Sequence, residues 1–143
     1  MLIAVAQQKI VPGQPEKNKQ AMLAMIRAAI QGGASLVVFP ELAVSGLLLG
    51  HNRQSATFLA ECLAADQALA AAARIPVVYG NLSLDAKGRW QNVVNLAHQG
   101  ELFPLKSARS ASFIPQAYAG FAPAPACRVY QLELAGREWR IGF

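Results

Sequence analysis

A glutamate that closes an apolar run is the residue in this sequence best placed for chemistry. The run is Ser35-Leu36-Val37-Val38-Phe39-Pro40-Glu41. Its middle is apolar on both faces, the pattern of a parallel strand covered by helices. Pro40 has no amide hydrogen to give to a ladder and its φ is fixed, so the strand stops there. Glu41 then stands at the strand's carboxyl end, the rim where open α/β sheets collect their active sites. A carboxylate there can act as a general base if the proton it takes lies within hydrogen-bond reach. On position alone a solvated surface glutamate is the commoner occupant, and the rest of the chain has to decide.

Other reactive residues are few. Cys62 and Cys127 form neither a disulfide framework nor a zinc pattern. Cys62 falls on the apolar stripe of a predicted helix, where a free cysteine behaves as a small hydrophobe, and Cys127 follows a proline-rich loop. A structural thiol is the better reading of each. His51 and His98 are isolated, with no ligand spacing around them, so no metal site is expected.

The elements that must position Glu41 can be read from periodicity. Residues 2–7 read as a short strand, and the loop at 11–15 leads to Pro15, which suits a first helical turn. Over 16–31 the apolar residues Met22, Met25, Ile26, Ala29 and Ile30 recur at helical spacing, and Gly32-Gly33 closes the helix as a left-handed cap would. The Glu41 strand follows, then a loop over 42–52. A second helix over 55–73 places Phe58, Leu59, Cys62, Leu63, Leu69 and Ala73 on one stripe. Residues 76–81 are a further buried strand, and this β-α-β-α-β order predicts right-handed crossovers onto a parallel sheet. Asp85-Ala86-Lys87-Gly88 then reads as a hairpin turn leading to a strand over 91–98. A long irregular stretch over 104–126 precedes two strands, 129–134 and 138–143, joined at Ala135-Gly136.

Composition limits the classes. At 143 residues, 54% hydrophobic and 15% charged, the chain fits one folded domain and not a disordered one. The net charge of +5 comes from scattered basic residues with no aromatic-interleaved stripe, so nucleic acid is not an expected partner. The apolar runs are too short to cross a bilayer, and Met1 leads into strand-like residues with no basic leader. The expected setting is the cytoplasm. Arg140-Ile141-Gly142-Phe143 carries no polar tail or cap, which is expected of a domain cut short.

Taken in order, these residues resemble the nitrilase, or carbon–nitrogen hydrolase, superfamily over the whole chain. Val37-Val38-Phe39-Pro40-Glu41-Leu42-Ala43-Val44-Ser45-Gly46 is similar to that family's strand-plus-glutamate signature. Ala4-Val5-Ala6-Gln7, Asn18 and Gly33-Ala34-Ser35 stand ahead of it in the expected places. Ile75-Pro76-Val77-Val78-Tyr79-Gly80, Asn92 and Gly100 follow in theirs. The resemblance implies an α/β fold, the N-terminal portion of a nitrilase-type α-β-β-α sandwich with a mixed sheet flanked by helices, over residues 1–143.

The resemblance also implies a catalytic set of glutamate, lysine and cysteine. Glu41 matches the glutamate and Lys106 the lysine, although the Lys106 spacing runs about two residues short of the family pattern. Arg109 is a poor alternative, because a guanidinium cannot titrate and is not a compact ammonium. The family cysteine follows the strand represented by 137–143. Neither Cys62 nor Cys127 occupies that place, so a chain ending at Phe143 is expected to be inactive alone.

Within the superfamily the wording is most similar to the glutamine-amidase domains of glutamine-dependent NAD synthetases. Two departures stand against that: Leu47 replaces a usual tyrosine, and Ser107-Ala108-Arg109-Ser110-Ala111-Ser112 follows Lys106. Tyr118 is available as a substitute. What this implies is a small amide substrate, with glutamine the leading one, and no cofactor in the hydrolase domain. ATP and Mg enter only with a fused synthetase domain. A homo-oligomer is expected. A stand-alone aliphatic amidase or carbamoylase, or a catalytically dead binding and assembly module, are the alternatives.

Overall fold

The computed structural model describes residues 1–47, 55–106, 129–134 and 136–142. Five strands form one sheet in chain order: β1 (Ile3–Val5), β2 (Leu36–Val38), β3 (Val77–Leu84), β4 (Trp90–His98) and β5 (Glu101–Lys106). β1, β2 and β3 are mutually parallel, with Ile3 opposite Leu36 and Val37 opposite Val77. β4 and β5 return antiparallel, so the sheet is mixed. Helices α1 (Pro15–Gln31) and α2 (Ala56–Ala72) are the crossovers between the parallel strands. Strands β6 (Val129–Leu134) and β7 (Arg137–Gly142) form a separate hairpin.

Helix α1 starts on Pro15, whose missing amide hydrogen costs nothing in the first turn. It ends through Gly32 and then Gly33, whose φ of 77° is the left-handed conformation that a side chain disfavours. Met22 and Ile26 turn fully inward one helical turn apart. Burial of such side chains contributes roughly 1.5–3 kcal/mol each. α2 is capped by Ser55, whose Oγ accepts from the Phe58 amide at 3.4 Å. At its other end the β4–β5 turn donates to it, Gln99 N to Ala73 O at 2.6 Å and Gly100 N to Ala70 O at 3.0 Å.

The layers follow from strand alternation. On one face Val37, Val77 and Tyr79 meet Met22 and Ile26 of α1 and Ala65 and Leu69 of α2. On the other, Leu36, Val78, Leu96 and Leu105 are covered by Trp139 and Ile141 of β7. The described residues therefore stack as helix, sheet and hairpin. β3 is buried on both faces from Val77 to Leu82, as a central strand must be.

Three expectations change. β3 extends three residues beyond Asn81 because its antiparallel partner β4 continues the ladder to the Asp85–Arg89 turn. Leu63 is not on the buried stripe of α2 but 45% exposed. Pro104 does not begin an irregular stretch; it sits within β5 opposite Asn95. β5 is an edge strand, where a residue lacking an amide hydrogen is tolerated.

Candidate active site

Glu41 is where the sequence places it, just past the carboxyl end of β2, and it is exposed. The ladder continues briefly beyond β2, with Phe39 N bonded to Val78 O at 2.8 Å and Gly80 N to Pro40 O at 3.1 Å. The chain then turns across the sheet over Gly80 and returns, with Val44 N reaching Gly80 O at 3.4 Å. Leu42 takes a φ of 50° in that turn, which Gly46 closes by donating to Leu42 O at 2.8 Å. A Cβ on Gly80 would lie 2.3 Å from Leu42 N and 2.7 Å from the Glu41 Cα. Only glycine lets the Glu41 turn pass this close to the sheet.

The carboxylate is held from the next strand. Asn92 of β4 donates its Nδ2 to Glu41 Oε1. Beneath the turn the backbone is tied down by amide side chains. Asn18, 2% exposed on α1, donates Nδ2 to Val11 O and to Val44 O, each at 2.8 Å, and accepts from Val11 N at 2.8 Å. Gln8 donates Nε2 to Ala43 O at 2.8 Å, and Gly13 N donates to Ser45 O at 3.0 Å. Leu42, Ala43, Val44 and Ser45 are buried, so the turn is a packed base carrying one exposed carboxylate.

Lys106 ends β5, opposite Val93, the neighbour of Asn92 in β4. This register brings the end of β5 to the end of the sheet that carries Glu41. The Lys106 side chain lies outside the described atoms, as do Cys127, His51, Arg109, Tyr118 and most of the 104–126 stretch. Cys62 is fully buried on α2, and burial, with the Asp66 and Glu61 charges behind it, pushes its thiol up to about 12. A thiol in that state is no nucleophile.

A second polar cluster, on the helix side of the sheet, escaped the sequence reading. Asp66 of α2 accepts at Oδ1 from Tyr79 Oη and Asn81 Nδ2 at 2.9 Å and from Asn95 Nδ2 at 3.2 Å. Burial pushes its carboxyl up to about 6, opposed by the bonds from Asn81, Tyr79 and Asn95. The signal was present, since Asp66 stands one turn after Cys62 and about one turn before Leu69 on an otherwise apolar stripe. Asn92, Asn18 and Gly80 were legible only as positions in a resemblance. Among the described residues, no three His, Cys, Asp or Glu gather as metal ligands, and no helix is long and apolar enough to cross a membrane.

A mixed sheet between a helix layer and a β-hairpin, with a carboxylate just beyond the end of a parallel strand, defines an α/β domain of nitrilase type. The chain belongs to the carbon–nitrogen hydrolase family, whose model matches residues 2–122. Among solved structures, it is similar to glutamine-dependent NAD+ synthetase from Acinetobacter baumannii, with a TM-score of 0.80 and 20% identity over 96% of this chain and 26% of that one. It is equally similar to an amidase from Nesterenkonia sp. AN1, with a TM-score of 0.79 and 22% identity over 96% of this chain and 55% of that one. A variant of that amidase shows Michael addition of acrylamide at its active site cysteine. At these identities the likeness is one of fold, and the chain spans about a quarter of the synthetase and about half of the amidase. No curated protein matches the sequence.

Proposed function

We propose that the protein hydrolyses a small amide through a thioester, with Glu41 as general base, Lys106 as the cation for the oxyanion, and a cysteine thiol as nucleophile. The observation that carries this reading is Glu41 itself, fixed over Gly80 and held by Asn92 at the strand rim. Burial excludes Cys62, and the family resemblance implies a thiol that follows the strand at 137–143. Glu41 takes the thiol proton as sulfur attacks the amide carbon. The proton passes to the departing nitrogen, the C–N bond breaks and ammonia leaves. Water then attacks the thioester, giving Glu41 its proton, which returns to sulfur as the acid departs. An ammonium such as Lys106 beside the oxyanion is worth about 10²–10³ in rate.

Glutamine is the proposed substrate, its ammonia supplied to NAD synthesis, with ATP and Mg entering only if a synthetase domain is fused to this one. One observation favours a second reading, a stand-alone aliphatic amidase. Leu47 packs on the cluster of Leu42, Phe58, Cys62 and Leu82 and offers no hydroxyl to hold a glutamine. Ammonia release by the full-length protein from glutamine and from short aliphatic amides separates the two. Glu41→Gln is expected to lower either turnover at least about 10²-fold, and unchanged turnover would sink the mechanism.

A further inference from the structure

We propose that Asn92 is a positioning residue for Glu41: its side-chain amide sets the plane of the base's carboxylate and leaves substrate untouched. The inference rests on Glu41 being the base. The backbone of Glu41 is fixed by the close pass over Gly80, but its side chain still has three rotatable bonds and lies exposed at the rim. Left alone, such a side chain samples many rotamers, a freedom worth up to about 1.5–2 kcal/mol. Asn92 restricts it from a rigid support. It sits inside β4, opposite Leu82 of β3, with the β4–β5 ladder beginning at the next residue, Val93. Its amide donates to Oε1 across 51 positions of sequence. A carboxylate gripped at one oxygen has its plane fixed, and with it the direction in which the other oxygen faces.

The type of side chain matters as much as its place. A guanidinium in the same position would grip the carboxylate harder but would also favour its ionised form, working against proton uptake. A neutral amide orients with less of that bias. The bond is also at the surface, where water competes for both partners and even a charged contact contributes only about 0–1 kcal/mol to folding. Its loss should therefore appear in turnover and hardly at all in stability.

The test uses the full-length protein and its amide substrate. Asn92→Leu, and the smaller Asn92→Ala as a second variant should the first fold poorly, are expected to lower kcat roughly 10–100-fold, since a base off its line of attack loses effective molarity. KM should stay within about twofold, because ground-state binding is untouched. In a Glu41→Gln background, Asn92→Leu should change the residual rate by less than about twofold, since two residues acting as a unit are non-additive. If Glu41→Gln abolishes turnover while both Asn92 variants keep wild-type kcat, the positioning role is overturned and the base survives. If the losses multiply, or KM rises with kcat unchanged, Asn92 acts on its own and the inference fails. Full turnover in Glu41→Gln removes the base, and with it any need for a positioner.

Discussion

Replacing Gly80 by alanine puts a methyl group where the Glu41–Leu42 peptide already lies. The new carbon would sit 2.3 Å from Leu42 N, 2.7 Å from the Glu41 Cα and 2.8 Å from the Glu41 carbonyl carbon. Relaxed heavy-atom contacts begin near about 3.5 Å, so the turn has to lift by roughly 1 Å. All three atoms are backbone, and no rotamer change can relieve them. The lift strains the bonds from Gly80 N to Pro40 O and from Val44 N to Gly80 O, which clamp the turn to β3. Overpacking of this kind costs about 1–3 kcal/mol in stability. A base displaced by about 1 Å costs up to about 10² in rate. Urea unfolding and steady-state ammonia release would be measured on Gly80→Ala beside Gly88→Ala. At Gly88 an added Cβ meets nothing within 4 Å, although its φ is 72°. The hairpin variant should lose about 1 kcal/mol through its backbone and keep its turnover. Gly80→Ala with its stability lowered and its kcat intact would show that turnover does not depend on where Glu41 sits. Gly80→Ala with both intact would refute the steric argument itself.

Asp66 offers a test of the buried cluster that needs no substrate. Burial pushes its carboxyl up from the ordinary 3.8 of an unfolded chain to about 6 in the fold. Between those values the folded protein keeps a proton that the unfolded chain has released. Its contribution to stability therefore falls as pH rises from about 4 to about 6 and is flat above, a loss on the order of 2–3 kcal/mol. Asp66→Asn keeps an acceptor oxygen for Tyr79 and should lose that slope while equalling or exceeding the parent near pH 7; urea titrations that show the same slope in both proteins would contradict this. Cys62 should resist iodoacetamide in the native protein at about pH 8 and react once denatured, and Cys62→Ala should retain turnover. Peptide mapping that finds Cys62 alkylated in the folded protein would refute its assignment as structural.

The elements were largely legible because their signals are local. α1 announces itself through the spacing of Met22 and Ile26 and through Pro15, and the Asp85–Arg89 turn through its Asp and Gly. Pro104 misled because a proline's meaning depends on whether its strand is central or at an edge, and that is a property of the assembled sheet. The site was legible only as far as Glu41. Asn92 meets Glu41 across 51 residues, and no periodicity connects a strand interior to a distant turn. Asp66 was hidden for a different reason. A carboxylate within an apolar stripe is a legible anomaly, but its three donors come from β3 and β4 and exist only once the sheet has formed.

The buried Asn18 has a mechanical consequence. By gripping Val11 on both its amide and its carbonyl, and Val44 on its carbonyl, it fastens the loop after β1 to the loop after β2. The Gly13–Ser45 bond and the seat of Gly46 against Pro12 rivet the same seam. The two loops thus behave as one plate with Glu41 at its edge. A change of backbone path at Val11 or Pro12, about thirty positions from Glu41 in sequence, is expected to tilt that plate. Loop grafts and insertions around 11–13 belong with changes to the Glu41 rim itself, whatever their distance along the chain.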